Sequence, residues 1–382
     1  MNIPFHRARI TPDEIDAVNE VLRSGWITMG RATLAFEERF AAAVGAPHAI
    51  AVSSCTAALH LALVVLGVGP GDEVIVPADT FVATAEAVEY CGARPVLADI
   101  DRDTHCVGPA ALERAITPRT RAVIPVHFAG QPCDMAAIMD IAQRHGARVV
   151  DDAAHAFPAS IGGAAIGSCA DLTCFSFYAT KTLTTGEGGM ITTRNPEWAD
   201  ALATLRLHGM SRDAWRRYSG ETSWRYDVTR LGYKYNTTDI AAAIGLGQLA
   251  RADALRDERE RIAQRYSRAF VADAALIPYA IRPGGVCAWH LYPLKLNLDS
   301  LTVDRDRFMA LMRERGVATS VHFIPLYHFT HFKGRGWSPD GFPESEWVFA
   351  REISLPLYPG MTDAEVDYVI DAVLGIARAN RR

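Results

Sequence analysis

The chain has 382 residues, 49% hydrophobic and 22% charged, with a formal net charge of -5. That length suits two domains with a sizeable core, and the acidic balance disfavours general nucleic-acid binding while leaving room for a locally basic pocket that takes a small anion. The opening segment Met1–Ile10 lacks the apolar run and cleavage site of a signal peptide, and no stretch approaches the ~18 apolar residues of a bilayer span, so a cytoplasmic chain with no membrane partner is expected.

In chain order, Thr11-Pro12-Asp13-Glu14 reads as a helix start: Thr11 as N-cap, Pro12 at the first helical position, Glu14 able to reach back. From residue 47 short apolar runs alternate with amphipathic helices. The spacing predicts strands over Ala49–Val52, Glu73–Val76, Pro95–Ala98, Ala122–Val126, Arg148–Val150 and Leu172–Phe177. Helices are predicted over Thr56–Leu66, Val82–Cys91 and Met135–His145. The strands are nearly continuous in apolar character, as in a sheet covered on both faces, so an α/β domain with a mostly parallel sheet is expected over residues 1–250. Asp239–Phe270 reads as a long, bent helical stretch whose charged second half is a solvated face. Strand-like Trp289–Leu296 and Ala318–Phe323 follow, with helices near 304–315 and 362–378, giving a smaller α+β domain over 251–382. The seven cysteines are odd in number and form no CxxC pair, which suits unpaired thiols in a reducing compartment rather than a disulfide framework. No metal site is expected.

Four segments carry candidate chemistry. Ser53-Ser54-Cys55-Thr56 follows a strand and opens a helix, where free N–H groups and the dipole favour an anion such as a phosphate; the same segment also reads as a plain N-cap. There is no GxGxxG after the first strand, which disfavours a dinucleotide site. Phe81, after the second strand, can stack on a flat ring or sit in the core. Val149-Val150-Asp151-Asp152-Ala153-Ala154-His155 places two acids at a strand's carboxyl end, where open α/β sheets bind ligands. One of the two acids should face a ligand, and Asp152 is the choice; His155 would meet the same ligand. Helix capping and a packed histidine are the structural alternatives. Finally, Lys181 lies five residues after Ser176 and before the glycine-rich turn Thr184–Gly189. A lysine amine there can form an imine with the aldehyde of pyridoxal 5'-phosphate and later move protons, with Asp152 holding the ring nitrogen protonated. The alternatives are a surface lysine and a hairpin turn.

Taken in this order, the segments resemble the sugar aminotransferases of the DegT/DnrJ/EryC1/StrS family. The resemblance rests on Ser24–Gly30, Ser53–Leu59, Thr80-Phe81, Asp151–His155, Phe175–Gly189, Gly232–Ile240, Trp289–Leu291 and Ser320–Phe323. It implies the aspartate-aminotransferase (type I) fold and a homodimer with active sites at the interface. It also implies pyridoxal 5'-phosphate as cofactor, with Lys181 as the Schiff-base lysine and Asp152 as the partner of the pyridine nitrogen. His155 and Phe81 would lie against the ring, and Cys55, Thr56 and Ser176 would hold the phosphate. Lys234 stands where many members have the asparagine that reaches the neighbouring subunit's phosphate, and Asn236 follows it; both are cofactor candidates. Trp26, Thr28 and His322 are candidates for the substrate. Members acting at C4 of nucleotide-linked sugars share Gly-Tyr-Lys-Tyr-Asn, and relatives that dehydrate carry His in place of the lysine. The implied reaction is transamination of a nucleotide-linked 4-keto sugar by L-glutamate. The alternatives are amination at C3, amination of a keto-inositol, and a non-catalytic regulator that binds the cofactor or a nucleotide sugar. Arg206, Arg212, Arg216, Arg217, Arg225 and Arg230 are candidates for the substrate diphosphate, with a solvated arginine-rich surface as the competing account.

Overall fold

The computed structural model describes residues 1–210 and 226–382. Its main sheet has seven strands: β1 (His48–Val52), β2 (Glu73–Pro77), β3 (Arg94–Ala98), β4 (Thr120–Val123), β5 (Arg148–Asp152), β6 (Leu172–Ser176) and β7 (Gly189–Thr193). Their order is β1-β7-β6-β5-β4-β2-β3. Strands β6, β5, β4, β2 and β3 pair in parallel, and β7 runs antiparallel between β6 and β1. The sheet is therefore mixed and mostly parallel. Strand β7 is the element that the glycine-rich reading of 184–189 did not foresee.

Alternating side chains of each strand enter two separate apolar layers, as the period of two requires. Val74, Val76 and Val150 pack with helix Cys55–Val65 on one face. Ile75 and Val149 join Phe36, Phe40, Phe175 and helix Met135–Arg144 on the other. Covering both faces removes the polar alternation, which explains the unbroken apolar runs.

The second apolar layer continues into a three-stranded sheet built from Leu276-Ile277, Tyr292–Leu296 and Glu352–Leu355, covered by helices Ala252–Phe270, Arg305–Glu314 and Asp363–Ala379. Glu352–Leu355 was not anticipated. Ala318–Phe323, expected as a strand, makes only one bridge, Ser320 to Ser354, because the amides of His322 and Phe323 bond to carboxylates instead.

The N-terminal helix Pro12–Ser24 starts as read: the Thr11 amide donates to Glu14 Oε2 at 2.9 Å. The expected bend in 239–270 falls at Arg251, between helices Asp239–Ala250 and Ala252–Phe270. Asp239 also accounts for part of the Gly232–Ile240 segment. Its carboxylate accepts from the amides of Gly30, Ala32 and Thr33 and from the Thr33 hydroxyl, at 2.7–3.2 Å. It thereby satisfies the first amides of helix Arg31–Val44, which has Gly30 and not a polar residue as its N-cap. All seven cysteines are unpaired. Among the described residues no helix is long and apolar enough to cross a membrane, and no cluster of three or more metal-ligating side chains occurs.

Candidate active site

The carboxyl ends of β2, β5 and β6 lie on one edge of the sheet, and a cleft of about 380 Å³ opens there. Cys55, Thr56, Phe81, Asp152, His155, Ser176, Lys181 and His322 all line it. Chain reversals after parallel strands bring these distant segments to a common edge.

Asp151 and Asp152, adjacent on β5, point to opposite faces. Asp151 turns away and lies 3.4 Å from Nε2 of the buried His127. Asp152 turns to the cleft, where its oxygens accept from the Thr84 hydroxyl at 2.8 Å and the Ala154 amide at 3.1 Å. Burial raises the Asp152 carboxyl above its usual range, while Thr84, the Ala154 amide and Lys181 act against that rise.

Lys181 sits on a loop whose ends are tied together: the Phe177 amide donates to Gly188 O and the Thr185 amide to Phe177 O, both at 2.9 Å. The buried hydroxyls of Thr182 and Thr184 donate to the carbonyls of Phe157 and Phe177. The glycine-rich stretch is needed where β7 passes the Ser54-Cys55 turn. A Cβ on Gly189 would lie 2.5 Å from the Ser54 carbonyl group and 2.8 Å from the Cys55 amide nitrogen. Burial lowers the Lys181 ammonium to about 8, partly opposed by Cys55 and Asp152, so a useful fraction of free amine exists near neutrality.

Ser54 caps helix Cys55–Val65, its hydroxyl accepting from the Ala57 amide at 3.1 Å. The amides of Cys55 and Thr56 are thus the first of the helix, at the cleft wall beside Ser176. Phe81 is 57% exposed, so it is not a core residue; its ring lies 6.0 Å from that of Phe323 across the cleft mouth.

His155 is buried, and its Nδ1 accepts from the Ala129 amide at 3.2 Å, which leaves Nε2 as the protonated nitrogen of the neutral ring. Burial and Lys181 push His155 well below its ordinary pKa. Burial, His155 and Lys181 do the same for His290, whose ring is 4.3 Å from that of His155. His290 also lines the cleft and has a buried Nδ1 without a hydrogen-bond partner. Ala129 holds both histidines, since its carbonyl accepts the His290 amide at 2.9 Å. It does so in a left-handed conformation, φ 56°, which is costly for alanine and suits a site where geometry is over-determined.

Thr84, Ala129 and His290 escaped the sequence reading as site residues. His290 lies within Trp289–Leu291, which gave the one available signal; Thr84 and Ala129 gave none. Conversely, Trp26, Thr28, Lys234 and Asn236 do not line the cleft of their own chain. The Trp26 indole donates to Met29 O, and Thr28 O accepts the Asp239 amide. Lys234 Nζ donates to Asn236 Oδ1 at 2.5 Å, on a segment fastened beside the start of helix Cys55–Val65 by the Ser53 amide, which donates to Tyr235 O at 2.7 Å. Arg206 is no surface arginine: it is 4% exposed and bonds to Glu37 and to Ala51 O. Arg230 is exposed, and Arg212, Arg216, Arg217 and Arg225 lie outside the described residues.

Comparisons with known proteins show the family and the fold. The description of the DegT/DnrJ/EryC1/StrS aminotransferase family matches residues 8–374. The chain is 48% identical over 380 residues to the uncharacterized protein MJ1066 of Methanocaldococcus jannaschii, covering 99% of this chain and 98% of that one. It is 49% identical over 378 residues to the spore coat polysaccharide biosynthesis protein SpsC of Bacillus subtilis, covering 98% and 97%. Among solved structures, the putative sugar aminotransferase Spr1654 of Streptococcus pneumoniae in its PMP-form superposes with a TM-score of 0.93. It is 37% identical, over 99% of this chain and 98% of that one.

Proposed function

The chain belongs to the DegT/DnrJ/EryC1/StrS aminotransferase family, and from that premise we propose that it moves an amino group from L-glutamate to the C4 keto carbon of a nucleotide-linked sugar. The products are a 4-amino sugar nucleotide and 2-oxoglutarate. The chain is a sugar aminotransferase and uses pyridoxal 5'-phosphate; the donor, the nucleotide and the aminated carbon are the proposal. The observation that carries the transamination is the meeting of Lys181 and Asp152 in one cleft; the choice of C4 is supported by the Gly-Tyr-Lys-Tyr-Asn run at 232–236.

The residues present fit the cofactor. Asp152 makes no ion pair among the described residues and is held by two neutral donors, so a protonated ring nitrogen is the charge partner its burial calls for. When bound, pyridoxal phosphate supplies an aldehyde and an electron-accepting ring on which amine and keto groups exchange. Asp152 would hold the proton on the pyridine nitrogen. The Cys55 and Thr56 amides and the Ser176 hydroxyl would hold the phosphate, while Phe81 and His155 would confine the ring. The Lys181 amine would take the α-proton of glutamate and return a proton to the cofactor carbon, and then run the two transfers in reverse for the sugar.

Lys234 and Asn236 would reach the phosphate of a neighbouring subunit, and Trp26 and Thr28 its substrate. A homodimer is supported by exposed apolar side chains beside them: Ile27 is 50%, Leu34 57% and Leu231 86% exposed. A division into a large domain over 1–250 and a small one over 251–382 is supported by the helix break at Arg251. The name of the SpsC relative supports a sugar destined for a polysaccharide. To test the reading, the yellow cofactor-loaded protein is mixed with glutamate, then with a panel of keto nucleotide sugars and a keto-inositol, and the aminated carbon is assigned by NMR. Bleaching by glutamate followed by a 4-amino product is expected. A 3-amino product or an aminocyclitol would select the other substrates, and a colour that glutamate never alters would point to a regulator.

A further inference from the structure

His322 lines the cleft and stacks on Phe5, and what lies behind it is a buried relay. Its Nδ1 is 2.9 Å from the Ser354 hydroxyl, which in turn lies 2.5 Å from Glu352 Oε1. Glu352 Oε2 accepts the His322 amide at 3.0 Å, and Asp79 Oδ1 accepts the next amide, Phe323, also at 3.0 Å. Two carboxyl groups, one in strand Glu352–Leu355 and one just after strand Glu73–Pro77, therefore hold consecutive amides of one cleft-lining segment. Glu352 and Ser354 are fully buried.

We propose that Ser354 and Glu352 are positioning residues that decide which ring nitrogen of His322 carries the proton, and so whether His322 donates to or accepts from the sugar portion of the substrate. The proposal rests on the sugar aminotransferase reading of the cleft. With Nδ1 taken by Ser354, Nε2 is the nitrogen left for a ligand. Because Glu352 Oε2 already accepts an amide, a proton on Glu352 resides on Oε1 and is donated to Ser354. The Ser354 hydroxyl then donates to Nδ1, and Nε2 carries N–H. When Glu352 ionises, Ser354 turns to donate to Oε1 and accepts from Nδ1–H, so Nε2 presents a lone pair. The His322 ring stays neutral in both arrangements, since burial and Lys181 lower it to about 4.

Burial raises the Glu352 carboxyl to about 8, so the donor form prevails near neutrality and the acceptor form above it. The titratable and charged groups around Glu352 are Asp79, Arg305 and Lys295; around His322 they are Lys181 and the neutral His155 and His290.

The test uses cofactor-loaded enzyme with 15N-labelled histidine, and follows the His322 tautomer by long-range proton–nitrogen NMR against pH. The wild type should carry Nε2–H at neutral pH and convert to Nδ1–H as pH rises through about 8. Glu352→Gln, whose amide group donates to Ser354 at every pH, should hold Nε2–H throughout; Ser354→Ala should abolish the pH dependence. In steady state Ser354→Ala should raise KM for the keto sugar about five- to tenfold, the loss of one hydrogen bond, with the effect falling on the sugar rather than on the glutamate half-reaction. A wild-type tautomer that ignores pH, or a Glu352→Gln profile that tracks the wild type, would overturn the proposal. The NMR reading does not depend on turnover, so failure of the relay is distinct from a protein that glutamate never converts.

Discussion

The bond between Thr84 and Asp152 offers a quantitative handle on the cofactor's electronics. Thr84→Val keeps the side chain's size and removes the donor that lies 2.8 Å from Asp152 Oδ2. It also ends the contact between the Thr80 and Thr84 hydroxyls at 2.9 Å. A hydrogen bond to a charged acceptor contributes about 1.5–3 kcal/mol. One pKa unit corresponds to about 1.4 kcal/mol. Asp152 is buried and already raised by that burial, so the missing donor should raise it further, by about one to two units. Protonated Asp152 cannot hold the ring nitrogen's proton by charge, so activity falls as pH drops through its pKa. Single-turnover conversion by glutamate, followed by stopped-flow absorbance, should therefore show an acid limb displaced upward by about one to two pH units in the variant. On that limb the variant should be about ten- to a hundredfold slower at equal pH, with the two enzymes converging at high pH. An acid limb that does not move, or that moves down, would refute the assignment of Asp152 as the group whose charge the reaction needs.

Other outcomes follow from the same geometry. Lys181→Ala should abolish turnover, and borohydride treatment of the loaded wild type should leave its label on the peptide containing Lys181, with none on the variant. Asp239→Ala should lower stability by about 2–4 kcal/mol in urea denaturation, because the amides of Gly30, Ala32 and Thr33 lose their acceptor; glutamate conversion should persist in the folded fraction. Asp79 is raised by burial from 3.8 to about 7. Asp79 thus keeps its proton in the folded state between those values, and its own contribution to stability should fall as pH rises through that window, against the opposite contribution of the buried histidines. Asp79→Asn keeps an acceptor for the Phe323 amide and removes that contribution, so the variant's urea midpoint should gain on the wild type's as pH rises through the window.

Much of the site was legible because its parts sit where short-range rules put them. Asp152 ends an apolar strand, Ser54 and Thr56 open a helix, and Lys181 follows a strand and precedes glycines; each pattern is local. The placing of Arg206 went astray for the opposite reason. An arginine's sequence neighbours do not reveal that Glu37 and Ala51 O, both far away in the chain, will bury it. The strand expected at Ala318–Phe323 has suitable side chains, yet the amides of His322 and Phe323 are taken by Glu352 and Asp79.

The sequence by itself determined the alternation of strands and helices, the carboxyl edge on which chemistry would gather, and the residue types placed there, since hydrophobic period, capping and glycine conformation act over a few residues. Only the tertiary structure decided that Thr84 holds Asp152 and that Ala129 holds His155 and His290. It also decided that three neutral imidazoles crowd around the lysine. Those outcomes depend on burial and on contacts between residues tens to hundreds of positions apart, where desolvation and a single hydrogen bond outweigh anything a local pattern encodes.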